Sequence, residues 1–298
     1  MEQPLVSVAV ITYNSAATVI ETLDSILSQT YLNLELIISD DCSTDSTVPI
    51  CKKWLDNNRA RFVRTILIES PINTGISRNF NRADAACNGV WIKAIAGDDL
   101  LLPECIECYM QYVSEHPNTR LLFSKVKCFG VVEPECRQRE SSVDYAFFNM
   151  TLEEQMHRLI FEGNGVPAPT AFYKSDINIK CDERIPLLED WPRWINLLKS
   201  NIKFDLIDKQ LVCYRVNDKL TYNPKYLKSL LLFDLYYRYP VWKKECPADA
   251  ERMLADTLDE TFANAANTKH VYQTKAYLLG VTILKPFRRI KKHLLLNI

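Results

Sequence analysis

The sequence predicts an α/β fold: a mostly parallel sheet flanked by helices, with a helical extension at its C-terminal end. Three observations carry that prediction. Short apolar runs of strand length alternate with helix-period segments from Val6 to Phe129, the pattern of right-handed β-α-β crossovers. The first of these runs is apolar on both faces, as in a strand covered on either side. The runs also stop at polar clusters, Thr12-Tyr13-Asn14, Asp40-Asp41 and Gly97-Asp98-Asp99, and open α/β sheets gather their ligands at such strand ends.

In chain order, Val6–Ile11 reads as the first strand. Thr18 and Glu21 form a capping-box pattern ahead of Val19, Leu23, Ile26 and Leu27 at helical spacing,. Leu34–Ser39 is the second strand, and Ser43, Asp45 and Ser46 offer caps for a helix to about Asn58,. Phe62–Ile68 is a third strand and Ser77–Cys87 a helix. Val90–Ala96 is the strand that leads into Asp98-Asp99, and Pro103 suits the first turn of a helix running to His116,. Leu121–Phe129 closes the alternating part.

Further on, Thr151 and Glu154 predict a capped helix to about Glu162, and 163–169 has loop chemistry,. Thr170–Tyr173 is expected to return to the sheet. Glu189-Asp190 begins a helix rich in apolar residues, and Phe204–Val216 is one or two strands ending in Tyr214-Arg215. From about Asn223 the pattern is helical, with further helices expected over Ala248–Asn267 and Val271–Leu284,. The expected organisation is therefore one domain over 1–220, its halves 1–130 and 131–220, and a helical extension over 221–298.

Composition excludes several classes. The 298 residues carry a net charge of −1, so no nucleic-acid partner is expected. No basic segment followed by an apolar core stands at the N-terminus, and no apolar run approaches the ~20 residues of a membrane span. The ten cysteines sit mostly in apolar or helical surroundings, as reduced thiols do in a cytoplasmic protein. Cys105 and Cys108 form a CxxC, but no second pair or neighbouring histidine completes a zinc site, and packing in a helix explains them. With seven glycines there is no GxGxxG after a strand and no GxxxxGK[ST], so dinucleotide and P-loop sites are excluded.

The strand ends carry different chemistry. The Tyr13 ring can stack on a base, and a carboxylate at Asp40-Asp41 can accept from a pyrimidine N–H. The Asp98-Asp99 pair can reach a ribose and a divalent cation that neutralises a diphosphate, with Mg²⁺ or Mn²⁺ the usual choice for oxygen ligands. Taken alone, an acid pair is also consistent with a solvated turn.

Five segments together resemble glycosyltransferase family 2: Val8–Asn14, Ser25–Tyr31, Asp40–Asp45, Asn73–Asn79 and Gly97–Asp99, matching in order and spacing over roughly the first 130 residues. The resemblance implies a GT-A fold, a Rossmann-like sheet flanked by helices, and metal-dependent, inverting transfer from a nucleotide-sugar donor. By position it implies that Tyr13 and Asp41 contact the base with Thr12 beside them. It places Arg78 near the nucleotide, Asp98 at the ribose and Asp99 on the metal. It also implies that in Glu189-Asp190 the second acid is the catalytic base, with Glu189 orienting the loop or binding acceptor. A basic residue facing the diphosphate is usual near Arg215, whose alternative is a surface arginine. Uridine is the base implied by the family, and the acceptor a glycan or lipid-linked glycan, as in bacterial surface-polysaccharide assembly.

Two positions depart from the family pattern. Ala96 stands where many members carry a further acid, and Cys42 stands where glycine is common. Two other functions stay open on the sequence. A sugar-phosphate nucleotidyltransferase would need a glycine-rich basic loop that Val8–Ser15 lacks; a non-catalytic binding protein on the same scaffold would not need Asp41, Asp98, Asp99 and Asp190. The segment 285–298 is basic and amphipathic. It reads either as a peripheral contact with the inner face of an anionic membrane or as a capping helix. Oligomeric state is not legible.

Overall fold

The computed structural model describes residues 3–130, 136, 140, 142–178, 180–216 and 224–257. The chain divides into two compact units, Met1–Asn217 and Asp218–Ile298. In the first, strands β1 (Val6–Thr12), β2 (Leu34–Asp40), β3 (Arg64–Glu69), β4 (Trp91–Ala96), β5 (Leu100–Leu101), β6 (Leu121–Phe129), β7 (Phe172–Lys174) and β8 (Asp205–Arg215) form one sheet in the order β3-β2-β1-β4-β7-β6-β8-β5. The half holding β3, β2, β1 and β4 is wholly parallel. The other half is mixed: β7 pairs antiparallel with β4 and β6, and β5 antiparallel with β8. The expected mostly parallel sheet is therefore parallel where the polar strand ends lie and mixed beyond them.

Helices α1 (Val19–Leu27), α2 (Thr47–Asn58), α3 (Ile76–Ala85) and α4 (Cys105–Glu115) follow β1, β2, β3 and β5. Val6, Val8 and Val10, Leu34, Leu36 and Ile38, and Trp91 and Ile95 bury one sheet face against α1, α2 and α4. Each fully buried aliphatic or aromatic side chain of this kind contributes about 1.5–3 kcal/mol. Cys105 and Cys108 lie in this core, which bears out packing as their role. A second, aromatic core joins Phe123, Phe147, Phe148, Trp194 and Phe204 around β6, with ring centroids 5.3–5.8 Å apart. It seats α6 (Asp190–Lys199), the helix that begins at the Glu189-Asp190 pair.

The capping box at Thr151 and Glu154 forms in both directions and starts α5 (Leu152–His157), which ends in a π-helical turn, Arg158–Glu162, rather than continuing as α-helix. The capping box at Thr18 and Glu21 does not form. The Thr18 hydroxyl donates to Gly97 O at 2.8 Å, and the Glu21 carboxylate accepts from Arg215 at 2.7 Å. The second unit contains α7 (Pro224–Phe233), a π-helical turn (Asp234–Arg238), α8 (Tyr239–Glu245) and helical residues 250–257. The helix expected over Val271–Leu284 and the basic segment 285–298 lie outside the described residues.

At the N-terminal edge of the parallel half, Glu35 is 1% exposed. It accepts from Ser7 Oγ and the Asn88 amide, both at 2.5 Å, and from Arg64 Nε at 2.7 Å. Burial pushes its carboxyl up, but the bonds from Ser7, Asn88 and Arg64 outweigh it and hold the group below its ordinary value. The stabilisation is therefore present above the unfolded-state value and is lost as pH falls through the folded one. Glu35→Ala should destabilise the chain by about 3 kcal/mol, the order of breaking a buried ion pair, and weaken the acid-side loss of stability. Urea melts at neutral and acid pH check both; equal stability of the two proteins contradicts the account.

Candidate functional site

Parallel pairing sets Thr12 level with Asp40 and Ile11 level with Ala96. Three loops therefore leave the sheet side by side. Thr12 is 2% exposed; its hydroxyl donates to Asp40 Oδ2 at 2.8 Å and its carbonyl accepts from the Asp41 amide at 3.0 Å. Asn14 adopts φ 51°, with its amide donating to Ser43 Oγ at 2.7 Å and its Oδ1 accepting from the Thr44 amide at 2.8 Å. Cys42 has φ 65°, the left-handed region where glycine has no steric penalty. The turn after Asp41 therefore takes a glycine-favouring conformation with cysteine in place. Tyr13 stands out of this frame, 49% exposed, with its ring available as a stacking surface.

Asp41 is buried, and its carboxylate is surrounded by donors. Oδ2 accepts from the amides of Thr74 at 2.9 Å and Gly75 at 2.7 Å; Oδ1 accepts from Thr74 Oγ1 at 2.6 Å and Arg82 Nη2 at 3.3 Å. A carboxylate has about four acceptor directions, and these four donors fill them, the Arg82 contact being the longest. Arg78 pairs with Glu183 at 3.1 Å on the surface, both side chains about half exposed. Of the arginines on α3, Arg82 is the one that reaches Asp41.

The acid turn after β4 is held from three sides. Gly97 O accepts from Thr18 Oγ1, and a Cβ on Gly97 would lie 2.8 Å from Thr12 Cγ2. Asp99 is 2% exposed and its Oδ1 accepts from the Arg215 amide at 2.8 Å. The Arg215 guanidinium donates to Asp98 O at 2.9 Å and to Glu21, and lies 4.3 Å over the Phe129 ring. Arg215 is therefore part of the acid turn and not a free surface arginine. Burial, with Asp98 beside it, raises the Asp99 carboxyl well above its ordinary range despite Lys93 and Arg215 nearby.

A hard divalent cation fits this chemistry. The donors are carboxylate oxygens, and a divalent cation would relieve the crowding of negative charge at Asp99. Among the described residues no group of three or more His, Cys, Asp or Glu forms a cation cage, consistent with Ala96 in the upstream position. A cation here would be shared between one or two carboxylates and the phosphates of a ligand.

Glu189 and Asp190 lie at the end of a segment packed on α3. Ser77 Oγ donates to Ile185 O at 2.6 Å and the Ser77 amide to Pro186 O at 3.1 Å. Gly75 has φ 89°, and a Cβ there would meet Pro186 O at 2.7 Å. The turn that holds Asp41 is thus the same turn on which this segment rests. Asp190 Oδ1 accepts from the Trp191 amide at 2.7 Å and Oδ2 from Asn164 Nδ2 at 2.8 Å. Burial, then the charge of Asp190, pushes Glu189 up to about 8. Arg193, 3% exposed, lies 4.2 Å over the Tyr173 ring, whose hydroxyl donates to Asp84.

The sequence reading missed Asn79, Arg82 and Asn164. Asn79 accepts from Ser39 Oγ at 2.7 Å and donates to Thr12 O at 3.2 Å. Helical spacing gave no signal for it: Ser77, Asn79 and Asn81 are all buried on α3, but Ser77 and Asn81 face the 181–185 segment while Asn79 faces β1 and β2. Asn164 had no signal either, because a Gly-Asn-Gly loop looks like any turn.

Comparison with known proteins gives a consistent family. The model for glycosyl transferase family 2 matches residues 7–179. An uncharacterized glycosyltransferase of Methanocaldococcus jannaschii is 26% identical over 252 residues, covering 82% of each chain. Among solved structures, Staphylococcus aureus TarS 1–349 in complex with UDP-GlcNAc has a TM-score of 0.58 at 20% identity, over 93% of this chain and 79% of that one. The mannosyltransferase PcManGT of Pyrobaculum calidifontis, in complex with GDP-Man and Mn²⁺, has a TM-score of 0.59 at 18% identity, over 98% and 84%. These two similarities bear out the GT-A fold.

The raised Glu189 carboxyl has a consequence for stability. Below about 4.5 both folded and unfolded chains hold the proton, and the folded state has its full advantage,. As pH rises towards about 8, the unfolded chain releases the proton first and stability declines,. Glu189→Gln stays neutral and should flatten that decline in melting temperature between about pH 5 and 8. An unchanged slope would show that Glu189 ionises normally in the folded chain.

Proposed function

The chain belongs to glycosyl transferase family 2 and is a glycosyltransferase; from that premise we propose that it transfers a sugar, with inversion, from a uridine-diphosphate sugar to a hydroxyl of a glycan or lipid-linked glycan. The observation that carries this reading is the shared turn. Thr74-Gly75 receives Asp41 on one side and the 181–188 segment on the other. A donor held at the strand ends and an acid held at 189–190 are thereby built on one support.

In this reading Tyr13 stacks on the base, Asp41 accepts its N–H in place of the Arg82 contact, the longest of its four, and the Thr12 region forms the floor beside them. Asp98 bonds the ribose. The cation, held by Asp99, would supply the charge that neutralises the diphosphate and its leaving group. Arg215 adds a fixed positive charge at the same turn. Arg78, half exposed and paired with Glu183, lies near the nucleotide in this reading. The complexes of proteins with this fold, UDP-GlcNAc in one and GDP-Man with Mn²⁺ in the other, support a nucleotide-diphosphate sugar and a divalent metal.

Asp190 then acts as general base. It takes the proton of the acceptor hydroxyl as that oxygen attacks the anomeric carbon from the face opposite the diphosphate. The bond from the anomeric carbon to the phosphate oxygen breaks, and the nucleoside diphosphate leaves. Glu189, held protonated near neutral pH by burial and by Asp190, divides the labour: one acid of the pair is neutral and can donate a hydrogen bond, the other accepts the proton. Among the described residues no helix is long and apolar enough to cross a membrane. Contact with a cytoplasmic membrane face through the 285–298 segment rests on its basic, amphipathic sequence.

Asp190→Asn keeps size and removes basicity. With a UDP-sugar selected by its thermal shift on the protein, turnover should fall about 10²–10⁴-fold while UDP binding stays near wild type; unimpaired turnover contradicts the assignment. Asp99→Ala should abolish the Mn²⁺-dependent part of UDP affinity in calorimetry. Unchanged Mn²⁺-supported affinity would remove Asp99 from the metal.

A further inference from the structure

The Asn164 side chain is oriented by its surroundings. Its Oδ1 accepts from the Val166 amide at 3.2 Å. A backbone N–H only donates, so this bond fixes which end of the side-chain amide is oxygen and turns Nδ2 toward Asp190 Oδ2, 2.8 Å away.

The loop that carries Asn164 is anchored on both sides. The Asp144 amide donates to Gly165 O at 2.9 Å, and a Cβ on Gly165 would lie 2.7 Å from Asp144 Cβ. Gly163 takes φ 144°, conformational freedom that lets the chain turn into the loop. At the far end Lys93, 0% exposed on β4, donates its ammonium to Pro169 O at 2.5 Å and Ala94 O at 2.8 Å. The loop is thus tied to the strand that leads into the acid turn.

We propose that Asn164 is a positioning residue: its amide N–H fixes the carboxylate of Asp190 in the plane that faces the acceptor hydroxyl and favours its ionised form. Together with the Trp191 amide on Oδ1, it gives each carboxylate oxygen a directional donor, which restrains rotation about the Cβ–Cγ bond. A general base needs both the right direction and the ionised state. A hydrogen bond to the charged form supplies the second. The inference rests on the reading of Asp190 as base.

The test is a carbon-13 NMR titration of aspartate carboxyl groups in the full chain, with the Asp190 resonance assigned by its loss in Asp190→Asn. In Asn164→Ala the Asp190 midpoint, read with the neighbouring Glu189 carboxyl unchanged in both proteins, should move up by about one pH unit, the order expected for a lost bond to a charged group. In Asn164→Asp, which sets a like charge beside it, the midpoint should move up further. The acid limb of the kcat–pH profile should move with it, kcat should fall about tenfold or more, and UDP affinity should stay within about twofold. A midpoint unmoved in both variants overturns the role of Asn164 and leaves Asp190 as base untouched. Normal turnover in Asp190→Asn overturns the base reading, and the positioning role with it.

Discussion

The buried carboxylate of Asp41 is the contact on which the site depends. A desolvated anion at a strand end must be met by donors, and here those donors are the Thr74 and Gly75 amides, the Thr74 hydroxyl and Arg82. Meeting that demand fixes the turn into α3. Gly75 then approaches Pro186 too closely for any side chain, and Ser77 binds the same segment through Ile185 and Pro186. The segment ends at Glu189-Asp190. One desolvated charge just past the end of β2 therefore places an acid pair about 150 residues further along the chain.

A second network does the same for the acid turn after β4. Thr18 and Glu21 at the start of α1, Phe129 and Arg215 come from three places in the chain: Thr18 and Arg215 bond Gly97-Asp98-Asp99, and Glu21 and Phe129 hold Arg215 there. This explains the capping box that does not form. Thr18 and Glu21 have the right identities and spacing for a local cap, but the helix start yields them to a partner nearly 80 residues away in one case and 194 in the other. The buried Lys93, pushed down to about 8 by burial, ties the same strand to the loop bearing Asn164.

What was legible in the sequence is what local chemistry decides. The parallel strands were readable from apolar runs, and their ends from the polar clusters Thr12-Tyr13, Asp40-Asp41 and Asp98-Asp99. The Thr151–Glu154 cap was readable because both partners lie within one turn. Directions in space were not. Arg78 and Arg82 sit one turn apart on α3, yet one meets Glu183 and the other Asp41, and a motif gives order along a helix without saying which side faces the ligand. The two-residue strand Leu100–Leu101 exists only because β8 pairs with it. Asn164 finds Asp190 across 26 residues, through a loop whose course is set by anchors at both ends.

The central claim is that the carboxyl ends of β1, β2 and β4 hold a nucleotide diphosphate and a metal together. Crystals of the full chain grown with UDP and Mn²⁺ test it directly, using anomalous scattering at the manganese edge. The account predicts an anomalous peak at oxygen-ligand distance, about 2.0–2.3 Å, from the Asp98-Asp99 turn, bridged to the diphosphate, with the uracil ring against Tyr13. A peak elsewhere on the surface, or UDP bound away from these strand ends, would contradict it.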